Sequence, residues 1–143
     1  MGLDFTFINE ANMKEAHFHY SYSGIHILRR YALQMIGLPN DTNFETDPKA
    51  IENFPNLIYH NDAEGYYVGT LPSDFNESWS KESQLWVGSV KGLYRELQRI
   101  NAHMLANNYE DDAKTILQSF FKAFQEIEYD PEENASDVFI IFS

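Results

Sequence analysis

Leu3, Phe5 and Phe7 alternate with Asp4, Thr6 and Ile8 at the start of the chain. That period of two predicts a half-buried strand over residues 3–8. Residues 9–16 (NEANMKEA) read as a connection, and 17–22 (HFHYSY) as strand or extended segment. The spacing then changes: Ile25, Leu28, Ala32, Met35 and Ile36 form an apolar stripe of helical period. A helix is predicted from near Ser23, whose hydroxyl can accept from a backbone N–H of the first turn. Gly37 suits the left-handed position after the last turn, and Pro39 blocks continuation.

Residues 38–56 are rich in Pro, Asn and Asp and read as loop, with a short turn of helix after Pro48. Residues 57–71 (LIYHNDAEGYYVGTL) read as two short β segments around a turn made by Asn61, Asp62 and Gly65. A long helix is predicted over 81–106, with a heptad-like seam of Trp86, Val90, Leu93, Leu97, Ile100 and Met104. Gly88 and Gly92, four apart, would lie on a neighbouring helical face. A second helix over 111–127 carries Ala113, Leu117, Phe120, Phe124 and Ile127, with Asn108 expected at its cap. The short ANNY connection predicts an antiparallel pair. The apolar run DVFIIFS at 137–143 is expected to pair beside the N-terminal strand, since an open edge of this kind invites aggregation. The fold class is therefore α+β. A small sheet of N- and C-terminal strands plus a short central hairpin packs on three helices, in a single domain spanning 1–143.

Composition supports a substantial core: 43% of the 143 residues are hydrophobic, with eleven Phe and nine Tyr. The absence of cysteine excludes disulfides, thiolate metal sites and a cysteine nucleophile, and fits a reducing cytoplasm. No run approaches the length of a membrane span. The opening MGLDF lacks the basic start of a signal peptide. Gly2 and Thr6 match a myristoylation pattern formally, but a strand beginning at Leu3 would hide Gly2.

Twenty-two acidic residues against ten Lys and Arg give a net charge of −12. Such a surface repels phosphate backbones and anionic membranes, so neither nucleic acid nor membrane is expected as a partner. A basic partner protein, or a surface that imitates nucleic acid, stays open. The acids are concentrated: residues 109–143 hold nine, against Lys114 and Lys122. The simplest reading of that run is a solvated face.

Chemistry is sparse. His17 and His19 lie two apart and would share one face of a strand. His26 sits one helical turn from Arg30. His60, Asp62 and Glu64 precede Gly65 in a fragment resembling part of a calcium loop, but the position that should hold the final Glu is Leu71. A G-x-S-x-G elbow, a Gly-rich phosphate loop and an H-E-x-x-H helix are all absent.

Taken together, Met1–Phe5, the segment His19, Tyr20, Tyr22, Ser23, Gly24, His26 and Arg29, and the group His60, Asp62, Glu64 and Gly65 resemble a group of small uncharacterised bacterial and phage-associated proteins with no established activity. The resemblance covers roughly the first half of the chain. It departs at Glu64, where the group has Asp, and in a larger C-terminal part. It implies one polar patch of His19, Tyr22, Ser23, His26, Arg29, His60, Asp62 and Glu64, if the 57–71 turn folds over the first helix. A structural network of the same residues is the competing reading.

The leading functional expectation is a small acidic cytoplasmic protein that acts by binding a basic protein, in an immunity-like or host-modulating role. No cofactor is expected. The rival is a metal-binding protein or metal-dependent hydrolase, with a divalent ion held by His26, His60 and Asp62. A homo-oligomer built through the 81–127 helices is the third expectation.

Overall fold

The computed structural model describes residues 2–44, 46–57, 66–69, 87–88, 90–109 and 111–142. Its first unit is a hairpin. Strand β1 (Gly2–Asn9) and strand β2 (Lys14–Ser21) pair antiparallel from Gly2↔Ser21 to Asn9↔Lys14. The expected 9–16 connection is therefore shorter than the polar stretch suggests. It is a turn over 10–13 in which Met13 takes the left-handed conformation (φ 62°). Strand β5 (Val138–Phe142) lies antiparallel on the other side of β1, as the apolar C-terminal run predicts. Strand β3 (Tyr66–Gly69) continues the sheet beside β5, and β4 (Val87–Gly88) pairs parallel with β3. The order is β2-β1-β5-β3-β4. Of the predicted central hairpin, residues 58–65 and 70–71 lie outside the described residues.

Helix α1 (Tyr22–Met35) follows β2 directly. Ser23 is thus inside the first turn and not its cap: the chain passes from strand to helix without the expected extended residue. The C-terminal end is as predicted. Gly37 adopts φ 74°, and Gly37 and Leu38 donate to the carbonyls of Gln34 and Leu33. A short helix, α2 (Pro48–Asn53), is capped by Asp47, which accepts from the N–H groups of Lys49 and Ala50.

Helix α3 (Val90–Ala106) begins later than the heptad pattern suggests. Residues 81–86 and 89, with Trp86, lie outside the described residues, and Val87–Gly88 belong to a strand, so Gly88 and Gly92 do not share a helical face. The rest of the seam holds, with Val90, Leu93, Leu97, Ile100 and Met104 buried. Helix α4 (Asp112–Glu126) is capped by Asp111, which accepts from Ala113 N–H at 2.9 Å. Asn108 instead ends α3, in the left-handed conformation at φ 56°.

The core lies between the helices and the inner face of the hairpin. Phe5 stacks on Phe18 at 4.6 Å between ring centroids, and Phe120 meets both edge-on at 5.1 Å. Phe7 meets Phe124 edge-on at 5.0 Å. Each such pair adds to the burial of two large rings. Because Ala113, Leu117, Phe120, Phe124 and Ile127 are buried against this sheet and α3, the apolar seam of the helix pair is consumed within the chain. Among the described residues that seam is therefore not the surface through which the expected homo-oligomer could form.

Candidate functional site

The predicted polar patch does not come together among the described residues. His19 is exposed on the outer face of the hairpin, with Nδ1 2.7 Å from an Asp4 carboxylate oxygen. His17 shares that face, 3.2 Å from the Thr6 hydroxyl and 3.6 Å from Glu15. His26 is exposed on α1. Arg29 points inward: it is 6% exposed, donates from Nε to the Leu57 carbonyl at 2.9 Å, and lies over the Phe44 ring. The Tyr22 and Ser23 side chains, and His60, Asp62 and Glu64, lie outside the described residues. Among the described residues no group of three or more His, Asp or Glu side chains could hold a metal ion.

The chemistry of the surface lies elsewhere. Of the fifteen acidic residues described, only Glu96 is buried. Seven of the others gather where the β1–β2 turn meets the loop between α4 and β5: Glu10, Glu126, Glu128, Asp130, Glu132, Glu133 and Asp137. Three lysines offset part of this charge. Lys14 lies 2.8 Å from Glu128, Lys91 3.7 Å from Glu132 and Lys122 3.9 Å from Glu126. Lys14 holds the Glu128 carboxyl below the usual carboxylate range. Glu10, Asp130, Glu133 and Asp137 have no cation partner among the described residues.

These carboxylates stand on a braced frame. The carbonyl of Ile127, at the end of α4, accepts from the buried Asn9 amide at 2.8 Å and from Asn12 at 3.0 Å. Asn134 accepts from Asp130 N–H at 2.8 Å and donates to the Glu128 carbonyl at 3.2 Å. The Asp130 side chain accepts from Glu132 N–H at 2.9 Å. Glu10 N–H donates to the Asp137 carbonyl, also at 2.9 Å, which ties the turn to the loop. Beneath, the Tyr129 ring packs on Phe124 and Tyr94 at 5.0 and 5.2 Å. Burial pushes the Tyr129 hydroxyl up to about 12. The acidic DPEEN run is visible in the sequence. The contribution of Glu10 and the bracing by Asn9 and Asn12 are not, because they join segments more than a hundred residues apart, whereas the Asn134 brace is local to the loop.

A second charged region lies at the corner of residues 53–57. Glu96 of α3 accepts from the backbone N–H of Asn56 at 3.0 Å and from its side-chain amide. Burial pushes the Glu96 carboxyl up to about 7, against the lowering effect of those donors and of Arg99. Arg99 donates to the Asn53 carbonyl at 3.1 Å and covers the Phe54 ring at 4.5 Å.

Among known proteins, one family model matches residues 8–140, that of the family described as "Putative DNA-mimic protein". No curated protein and no solved structure matches the chain. The match takes in the whole acidic pole and its amide braces. It fits the expected action by protein binding but overturns the roles attached to it, both the immunity-like or host-modulating role and the metal-binding or hydrolytic alternative. The metal reading leaned on residue types in a predicted patch, and among the described residues no such cluster forms.

Proposed function

Because the chain belongs to the DNA-mimic family, we propose that it binds a DNA-binding protein in the cytoplasm by placing carboxylates where that protein otherwise holds DNA phosphates. The partner expectation is corrected accordingly. In place of any basic protein or a second copy of the chain, the partner is a protein whose DNA-binding surface is built for phosphates. The chain stands on the nucleic-acid side of that contact.

The observation that carries this reading is the braced acidic pole. A surface that binds DNA positions Lys, Arg and backbone N–H groups for phosphate oxygens, and these contacts set register more than sequence. Carboxylates can meet the same donors in charge-assisted hydrogen bonds. A carboxylate on a mobile tail would lose side-chain and backbone entropy on docking, whereas the Asn9, Asn12 and Asn134 amides fix the backbone of this loop beforehand. The net charge of −12 adds long-range attraction for a cationic groove and speeds encounter at low salt.

The test is competition. The chain is immobilised and loaded from an extract of its native host, then washed with a random-sequence duplex of about 30 base pairs. The expected result is release of DNA-binding proteins by the duplex, with the retained set lost in the variant E10Q/D130N/E133Q/D137N. Retained proteins that the duplex does not displace would overturn the proposal.

A further inference from the structure

Two cavities meet at Arg30, on the side of α1 that faces the 38–44 segment and the start of α4. One, of about 360 Å³, is walled by His26, Arg29, Arg30, Asn40, Thr42 and Asn43, and among the described residues that line it none is acidic. The other, of about 370 Å³, shares Arg30 and Asn40 and adds Tyr31, Gln34, Asp111 and Asp112. In a chain where acids outnumber Lys and Arg by 22 to 10, a cavity lined by two arginines and a histidine is a local concentration of basic side chains.

The spacing on α1 explains how these basic side chains are brought together. Residues 26, 29 and 30 stand at i, i+3 and i+4, neighbours on one helical face. Arg29 is committed to the Leu57 carbonyl and the Phe44 ring, and its fixed charge acts on the cavity from the wall. Arg30 is exposed, and among the described residues no carboxylate pairs with it. Asn40, Asn43 and Thr42 add neutral hydrogen-bonding groups at the rim. A planar guanidinium surrounded by further donors suits a phosphate, which offers more charge and more acceptors than one carboxylate.

The neighbouring compartment has different chemistry. The Tyr31 ring stacks on Tyr109 at 5.1 Å between centroids, and its hydroxyl donates to Asp111. Burial and that carboxylate push the hydroxyl up to about 12, so it stays a donor to Asp111. Gln34 is held by His103 at 3.0 Å. Asp112 is exposed, and among the described residues no cation pairs with its carboxylate, which can accept from hydroxyl or amine donors. Each compartment alone falls within the usual range for small-molecule sites.

We propose that this double cavity binds a nucleotide, its phosphate against Arg30 and His26 and its nucleoside against Tyr31, Gln34 and Asp112. This goes beyond DNA mimicry and does not depend on it, since the acidic pole contributes no residue to the cavity.

Calorimetry and thermal shift on the full chain at low ionic strength test it, with the four ribonucleoside monophosphates, inorganic phosphate and adenosine as probes. At least one monophosphate is expected to bind more tightly than either inorganic phosphate or adenosine. Arg30→Gln should weaken it by about tenfold or more, the loss typical of a charge-assisted bond. Asp112→Asn should weaken the nucleotide and leave phosphate binding unchanged. Arg30 and Asp112 are exposed, so both variants keep the fold, and His26→Gln gives a second reading of the phosphate compartment. Absence of binding by all four monophosphates, equal affinity for inorganic phosphate, or binding indifferent to Arg30→Gln would overturn the proposal.

Discussion

The acidic pole and the corner at residues 53–57 handle charge in opposite ways. At the pole the carboxylates are exposed and the frame beneath them is held by neutral amides, Asn9, Asn12 and Asn134. At the corner the frame itself is held by charged groups, with Glu96 gripping Asn56 and Arg29 gripping Leu57. The lesson concerns what stays available. A charge spent inside the fold is desolvated, sensitive to pH and closed to a partner. A charge carried on a neutral frame remains free to meet one.

The largest expected effect separates the two regions by pH. The Glu96 carboxyl has an ordinary value of 4.5 and is raised to about 7 in the fold. A raised value means that this group's contribution is fully present below pH 4.5 and is lost as pH rises through about 7. The difference corresponds to a change on the order of 3 kcal/mol between those limits. Urea denaturation at pH 5 and pH 8 should show the wild type losing stability with pH and Glu96→Gln showing a flatter profile. Equal slopes in the two proteins would mean that Glu96 is not the titrating group.

Next comes the brace of the pole. Asn9→Ala leaves the Ile127 carbonyl without its buried donor and should cost about 1–3 kcal/mol in denaturant melts. It should also weaken partner binding, although Asn9 carries no charge and is fully buried. Unchanged affinity would show that the carboxylates do not need a fixed frame. Asn134→Ala is expected to cost less, about 1 kcal/mol, because its bonds are part-buried or exposed.

The smallest effect concerns the lysines at the pole. The Lys14–Glu128 pair is exposed and screened by solvent, so Lys14→Ala should leave the denaturation midpoint almost unchanged. It also frees Glu128, and partner affinity at low salt should therefore rise rather than fall. A loss of affinity would place Lys14 among the contacting groups.

Much of the fold is legible in the sequence because its signals are local. The alternation of Phe5 and Phe7, the Gly37 stop, and the two helical stripes each report their own segment, and the C-terminal apolar run needed only a partner strand. The boundaries misread were those where two elements abut. Ser23 resembles a cap, yet β2 runs straight into α1. The heptad pattern runs on through residues 87–88, yet pairing with β3 draws Val87–Gly88 into the sheet. The site was less legible. The DPEEN run announces negative charge, but its join to Glu10 and its bracing by Asn9 and Asn12 depend on β1 lying beside β5. The cavity at Arg30 joins α1 to Asn40 and to Asp111, and no short motif records that meeting.

The most direct measurement of the central claim is a displacement titration on a captured DNA-binding partner, with duplex DNA competing against the wild-type chain and against E10Q/D130N/E133Q/D137N. The account predicts mutually exclusive binding of chain and duplex, and a loss of affinity of about tenfold or more in the variant, with its melting temperature unchanged or slightly raised as like-charge repulsion is relieved. A ternary complex of partner, duplex and chain, or full affinity in the neutralised variant, would contradict it.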